Sequence, residues 1–182
     1  MSRRLFACVA VLAIVVPRTG RAQSGIGIAA GWSAPVSDFS DAVNSGYHVT
    51  GLFNVSKKSS PIGLRFDGTF SEFDFKSIAG ATGAKARLVY GTANIVLSAR
   101  GGMGPYVLGG GGVYHSSAEC SGCTTSSTNG GLDGGVGYRF GLSGFSAFLE
   151  ARYHTIPSGS DATTAGTKKA ASFIPVSFGL IF

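Results

Sequence analysis

The last residues of the chain, 172–182, read SFIPVSFGLIF. Counted back from the C-terminus, every second residue is bulky and apolar: Phe182, Leu180, Phe178, Val176 and Ile174. A period of two is that of a β-strand, in which alternate side chains share one face. Such a face needs an apolar environment along its full length, and lipid is the simplest one. A tilted strand that crosses a hydrocarbon core of roughly 30 Å has about this length.

Seven earlier segments show the same period of two, and they predict seven further strands. They are residues 26–34, 47–56, 62–73, 87–99, 106–116, 132–140 and 145–154. With the terminal strand the total is eight, an even number, as closed bacterial barrels require. The pattern therefore predicts an all-β protein, an eight-stranded antiparallel up-and-down transmembrane β-barrel.

The predicted connections alternate in length along the chain. Those at 36–45, 76–85, 117–130 and 155–171 are long, whereas those at 57–60, 100–104 and 141–144 are short. Long loops on one side and short turns on the other are typical of outer-membrane barrels, with both termini on the short-turn, periplasmic side. We therefore expect four long extracellular loops.

The placement of charge indicates which face of the strands is outside. All six lysines lie in predicted turns and loops, whereas the exterior of a soluble sheet normally carries lysine along its strands. The strand charges share one face in sets of opposite sign, and an eight-stranded barrel has an interior that side chains fill. We therefore expect a paired network inside the lumen. Its pairs would be Arg65 with Asp67, Asp133 with Arg139, and Glu150 with Arg152. A soluble exported, lipocalin-like carrier, with its apolar face inward, is an alternative.

Aromatic residues lie near the ends of many predicted strands. In membrane barrels such residues form two belts at the interfaces with water. The residues expected in these belts are Trp32, Tyr47, Phe73, Tyr106, Tyr114, Phe140, Tyr153 and Phe182.

The first 22 residues predict a cleaved signal peptide. Arg3 and Arg4 precede an apolar run of twelve residues, 5–16, and small residues follow, so we place cleavage between Ala22 and Gln23. The protein would then be exported, with a barrel domain over residues 23–182. Removing residues 1–22 takes away four of fifteen basic residues and no acidic one, which leaves eleven against nine, or +2. We expect no nucleic-acid partner at that charge.

Several stretches of this sequence resemble the small outer-membrane β-barrel family, of the OmpA-like and OmpX-like kind. These are GWSAPVSDF, GLRFDGTF, GPYVLGGGGVY, FLEARYH and the terminal SFGLIF, and the resemblance covers residues 25–182. It implies a monomer in the outer membrane of a Gram-negative-type cell, with envelope lipid around it. It also implies that Phe178, Leu180 and Phe182 form the signal that the barrel-assembly machinery reads, with periplasmic chaperones assisting. Roles in the family include envelope integrity, adhesion, defence evasion and minor permeation.

Two groups of residues are candidates for chemistry. Cys120 and Cys123 would form a local disulfide in an oxidising compartment, because neither a helix N-terminus nor further zinc ligands accompany them. His154 resembles the catalytic histidine of lipid A deacylase barrels, but Ile156 stands where those enzymes have a serine. The sequence therefore predicts no catalytic, cofactor or metal site, and a lipid A-modifying enzyme that uses His154 is the alternative.

Overall fold

The computed structural model describes residues 22–57, 60–76, 85–99, 102–120, 123–157 and 170–182. Nearly all of them lie in eight strands. The strands are β1 (Ala22–Val36), β2 (Gly46–Lys57), β3 (Ile62–Asp74), β4 (Lys85–Ser98), β5 (Gly104–Cys120), β6 (Cys123–Leu142), β7 (Phe145–Ile156) and β8 (Ala171–Ile181), with one short helix, α1 (Asp38–Ala42). Within this described part, no helix is both long and apolar enough to cross a membrane.

The eight strands close into one barrel in chain order. Each pairs antiparallel with the next, and β1 closes the barrel by pairing with β8, with Trp32 opposite Val176. Within the barrel wall, closure leaves no strand edge without a partner. The predicted eight-stranded antiparallel up-and-down barrel is therefore confirmed. We call the end that carries Phe182 and the β2–β3, β4–β5 and β6–β7 connections the terminal end, and the opposite end the loop end.

The strands alternate between an apolar exterior and a largely polar interior. On β3, Phe66 is 48% exposed on the outside, whereas Arg65 and Asp67 on either side of it are buried. The same parity holds around the barrel, with Val136, Leu149 and Phe178 outside. The apolar face points outward, which is the reverse of the arrangement in a soluble carrier.

The connection between β5 and β6 differs from the expected long loop. Both strands continue past their predicted ends, so that only residues 121 and 122 lie between them. The polar stretch 117–130 is thus largely a two-stranded ribbon, and the prediction of four long loops was wrong. Ser116, Ser126, Ser127 and Thr128 of the ribbon are all exposed, so both faces meet water there. These side chains are polar on both faces, and the alternation that marks a strand disappears. Three long connections remain, after β1, β3 and β7.

The first long connection contains α1, a helix of five residues in a segment predicted as a loop. Phe39 on this helix packs against Phe73, with their ring centroids 5.4 Å apart. After the helix, Val43 forms a bridge with Phe75. These contacts hold the connection against inward-facing aromatic side chains at the loop end.

The aromatic belts are smaller than predicted. Trp32, Tyr47, Phe140, Tyr153 and Phe182 are exposed on the outside, as expected. Phe73, Tyr106 and Tyr114 are buried in the interior instead. All three residues lie near the ends of predicted strands, but the parity of each strand directs their side chains into the lumen.

Glycines on the inner face of β5 allow the wall to approach its neighbour closely. A Cβ built on Gly110 would overlap the carbonyl oxygen of Ala93 on β4, and one on Gly112 would overlap that of Gly91. Gly109, on the outer face, has space, since a Cβ there would lie 3.7 Å from the Asp133 carbonyl oxygen. Only glycine therefore fits the inner positions of this run.

The first prediction compares two adjacent glycines. Gly110→Ala should lower the free energy of unfolding by about 1–3 kcal/mol, because backbone must shift to admit the methyl group. Gly109→Ala, the matched control, should change it by less than about 0.5 kcal/mol. Urea unfolding in lipid vesicles measures both. Equal losses for the two variants would contradict the close approach at Gly110.

Candidate functional site

The centre of the lumen holds a ring of four charged side chains from two strands. Arg65 and Asp67 lie on β3, and Glu150 and Arg152 lie on β7. β3 and β7 face each other across the barrel, with three strands between them on either side. All four side chains are almost completely buried. The ring therefore links opposite walls.

Ion pairs run both along the strands and across the lumen. Along the strands, Arg65 Nε donates to Asp67 Oδ1 at 2.7 Å, and Arg152 Nε donates to Glu150 Oε1 at 2.6 Å. Across the lumen, Arg65 Nη1 donates to Glu150 Oε2 at 2.7 Å, and Arg152 Nη1 and Nη2 each donate to Asp67 Oδ2 at 3.0 Å. Each charge thus has two partners of opposite sign, as buried charge requires.

Neutral side chains complete the ring. Tyr106 donates its hydroxyl to Glu150 Oε2 at 2.6 Å, and the Asn94 amide donates to Asp67 Oδ2 at 3.1 Å. Asp133 lies at the edge, with Oδ2 at 3.5 Å from Arg152 Nη1. The free space beside the ring is about 10 Å³, which is room for about one water molecule. At this level side chains fill the lumen.

The structure therefore brings together five of the six charged residues expected in the network. The exception is Arg139, for which the sequence predicted a pair with Asp133. Asp133 approaches Arg152 instead, and Arg139 lies nearer the terminal end, with its guanidinium 5.5 Å from the centre of the Tyr106 ring. Strand parity placed Arg139 correctly on the inner face. Parity does not give the height along the barrel, which decides the ion-pair partner.

Two of the described histidines, His48 and His154, are buried in the same lumen, and the sequence indicated only His154 as a candidate for chemistry. His48 on β2 bridges two strands, since its Nδ1 lies 2.9 Å from Ser33 Oγ and its Nε2 lies 2.8 Å from Ser177 Oγ. The inward parity of His48 was the available signal. It links β1, β2 and β8, the strands that close the barrel.

His154, the candidate catalytic histidine, is 1% exposed. Its Nδ1 lies 2.8 Å from the Tyr114 hydroxyl, and its ring stacks on Phe173 with centroids 4.8 Å apart. A histidine that activates a nucleophile needs that nucleophile in hydrogen-bond reach. Its hydroxyl partner here is a phenol inside the lumen, at a position that exterior lipid does not reach. Ile156, where the deacylases have a serine, is buried as well.

Each end of the lumen holds a cavity. At the loop end, aromatic side chains including Phe39, Phe73 and Phe173 line a space of about 280 Å³. At the terminal end, a space of about 310 Å³ is lined by Arg139 together with polar and apolar side chains. The ring of charged side chains lies between these two cavities.

The remaining predicted sites fall on different parts of the structure. Phe178 and Phe182 are exposed on the outer face of the last strand and Leu180 is half-buried there, which is the face predicted for the assembly signal. Cys120 and Cys123 are register partners at the ends of β5 and β6, but their side chains lie outside the described part, so the disulfide stays a prediction. Residues 1–21 of the predicted signal peptide also lie outside it, and cleavage between Ala22 and Gln23 stays a prediction. Across the described ranges, no group of three or more His, Cys, Asp or Glu residues is placed to hold a metal ion.

A closed eight-stranded barrel with an apolar exterior and a charged, filled lumen is the design of small outer-membrane barrels, and solved structures of this class match it. The crystal structure of neisserial surface protein A matches with a TM-score of 0.58 at 16% identity, over 89% of this chain and 98% of that chain. Ail, the attachment invasion locus protein of Yersinia pestis, crystallised with the heparin analogue sucrose octasulfate, matches with a TM-score of 0.58 at 13% identity, over 90% and 100%. A second crystal structure of Ail gives 0.55 at 16%, over 90% and 100%.

At these identities the similarity shows the fold alone. No profile of a known protein family matches the sequence. Comparison with curated proteins also gives no match. The chain therefore shares the architecture of small outer-membrane barrels, whereas membership in the OmpA-like or OmpX-like family stays a prediction.

The second prediction tests the ring. Glu150→Gln should destabilise the barrel by about 3–5 kcal/mol, because it removes the shared carboxylate of Arg65 and Arg152 and leaves buried charge without compensation. Arg87→Gln is the control, since the Arg87 side chain is 41% exposed in its ion pair with Glu72. This substitution should lower the free energy of unfolding by at most about 1 kcal/mol. Urea unfolding in vesicles measures both. If the two losses were equal, the ring would not hold the walls together.

Proposed function

We propose that this protein is a non-enzymatic integral outer-membrane barrel that acts in envelope structure or in surface interaction. The observation that carries the proposal is the distribution of side chains: large apolar residues are exposed on the outside of every strand, and the charged residues in the middle of the strands are buried in the lumen. In water such an exterior would be an extended apolar patch that drives aggregation. In a bilayer it is the required surface, because a closed barrel satisfies its own backbone hydrogen bonds.

An outer-membrane location also fits the two ends of the barrel. The terminal end has short connections, and the last strand presents outward residues Phe178, Leu180 and Phe182 at this end. We assign the terminal end to the periplasm, where the barrel-assembly machinery and chaperones would engage that strand. The loop end would then face the cell exterior.

Interaction with partners would take place at the loop end. The β5–β6 ribbon extends the wall there, and α1 packs across the adjacent aromatic side chains. Exposed ribbon residues such as Ser126 and Thr128 are polar. This end is therefore a solvated surface on a rigid base, which suits binding and adhesion better than transport through a filled lumen.

Two observations weigh against the lipid A-modifying alternative. His154 points into the lumen and hydrogen-bonds with Tyr114, so its imidazole is held on the wrong side of the wall for a lipid substrate. Ile156 stands where the lipid A deacylases have a serine, and its side chain has no hydroxyl. We therefore assign His154 a structural role, as the partner of Tyr114 and Phe173.

The third prediction tests membrane insertion. Unboiled protein from an outer-membrane fraction should migrate at a shifted position on a detergent gel and resist protease, and boiling should abolish both properties. Leu149→Arg, on the outer face, should destabilise the barrel by about 2–4 kcal/mol in vesicles, because it places a charge in the hydrocarbon. Ser126→Arg, on the exposed ribbon, should have little effect.

Recovery of the protein in the soluble periplasm, with no change of migration on heating, would overturn the proposal. A change in lipid A mass on expression that is lost in His154→Ala would instead support the enzyme alternative.

A further inference from the structure

The loop-end part of β6 has a neighbouring strand on one side only. The pairing of β6 with β5 runs from Arg139 to Cys123, whereas its pairing with β7 stops at Leu132, opposite Thr155. Residues 123–131 therefore rise beyond β7, and in the described part of the chain no strand pairs with their other side. We call this side of residues 123–131 the open edge of β6.

The sequence explains why β7 does not follow β6 further. Ile156 is the last residue of β7, and Pro157 comes directly after it. Proline has no backbone N–H and cannot donate to a continued ladder. The ribbon therefore rises above β7 over the whole length of residues 123–131.

The open edge presents backbone hydrogen-bonding groups to water. Alternate residues of a strand point their N–H and C=O groups to opposite sides, so about half of residues 123–131 direct these groups away from β5. Ser126, Ser127, Thr128 and Gly130 are exposed, so the edge is accessible. An accessible edge of this kind is a template for a further strand.

The sequence of the open edge lacks the residues that usually prevent such pairing. Exposed edges are commonly protected by lysine, by other charged residues or by proline. Residues 123–131, CTTSSTNGG, include none of these, and three of them are threonine, which favours strands. The edge is therefore suited to pairing with another extended chain.

The cavity at the loop end lies beside the open edge. This cavity, of about 280 Å³, is lined by Ser127 and Asn129 of β6, by Ile156 and Pro157 at the end of β7, and by aromatic rings that include Phe173. A cavity of roughly 150 Å³ can hold benzene, so this one has space for an aromatic or aliphatic side chain.

The position of the cavity determines which side chains of an added strand would reach it. Such a strand would lie beside β6 and above the end of β7. Asn129 shares the inward parity of Asp133 on β6, and residues opposite each other on paired strands place their side chains on the same face. The side chain opposite Asn129 would therefore point into the cavity.

We propose that the open edge of β6 binds an extended segment of another protein as an added β-strand, with one apolar side chain of that segment in the loop-end cavity. In strand addition, main-chain hydrogen bonds give affinity and pockets for alternate side chains give specificity. The uncharged edge and the apolar cavity fit a segment with one large apolar residue between neutral polar ones. This inference rests on the surface-interaction role proposed above and names the chemistry of the partner.

The test uses the folded protein in maltoside micelles and three heptapeptides, acetyl-KTTXTTK-amide with Phe, Leu or Ser as the central residue X. Calorimetry measures affinity, and amide hydrogen exchange followed by NMR measures protection of residues 123–131. We expect the Phe and Leu peptides to bind and to slow exchange at alternate residues of the open edge. The Ser peptide should bind about tenfold or more weakly, because it buries no large apolar side chain.

Three results would overturn the proposal. The first is no binding by any of the peptides, and the second is binding without protection of the open edge. The third is protection of that edge in the protein alone together with a dimer in sedimentation, since a second copy of this chain would then be the occupant. A heat-dependent shift of migration on a detergent gel would still support the membrane barrel in each case, so this failure is distinct from that of the proposed function.

Methylated peptides test the edge in the unaltered protein. N-methyl groups on the even-numbered residues of the Phe peptide block one of its edges, and N-methyl groups on the odd-numbered residues block the other. Strand addition requires one of these two peptides to lose binding and the other to keep it. Equal binding of both would contradict strand addition.

A protein variant tests the cavity. Ala171 lines it, so Ala171→Phe should fill part of it and weaken binding of the Phe peptide by about tenfold. Val176→Phe, on the outer face of the same strand, should leave affinity unchanged. Migration of unboiled samples on a detergent gel checks that both variants are folded. Unchanged affinity in folded Ala171→Phe, or equal affinity of the Phe and Ser peptides, would refute the place of the cavity in the site.

Discussion

The ion-pair ring of Arg65, Asp67, Glu150 and Arg152 is the interaction on which the interior depends. In a soluble domain, burial of apolar side chains drives the walls together. Here most large apolar side chains of the strands face outward, and two buried apolar clusters fill other parts of the lumen. At the level of the ring, cohesion comes from polar groups in a low-dielectric interior. A ring in which each charge has two partners of opposite sign provides it. Removal of one member leaves the others buried and uncompensated.

The ring also fixes how opposite walls are aligned. β3 and β7 run in the same direction, since alternate strands of an up-and-down barrel are parallel to each other. Read along that direction, β3 presents Arg65 then Asp67, and β7 presents Glu150 then Arg152. The two orders are complementary, so each arginine faces a carboxylate across the lumen. A shift of one wall by two residues would bring like charges together.

Much of the fold could be predicted from the sequence because a barrel wall has a strict period of two. The parity of each strand correctly placed Arg65 inside and Phe178 outside, and the number and pairing of strands followed from it. Parity failed for the β5–β6 ribbon, where water on both faces removes the alternation. The site was predicted less fully. Which residues share a level across the lumen depends on strand stagger, so the sequence predicted a pair of Arg139 with Asp133, whereas Asp133 approaches Arg152.

The central claim is that lipid covers the apolar face while the charged face is inside. Nuclear Overhauser contacts between side-chain methyl groups and lipid acyl chains, measured in nanodiscs, test it most directly. The account predicts contacts to acyl chains for Val136, Leu149 and Val176, which are exposed on the outer face, and none for Leu52, Val96 and Leu108, which are buried inside. Acyl contacts from the second group, or their absence from the first, would contradict the assignment of inside and outside.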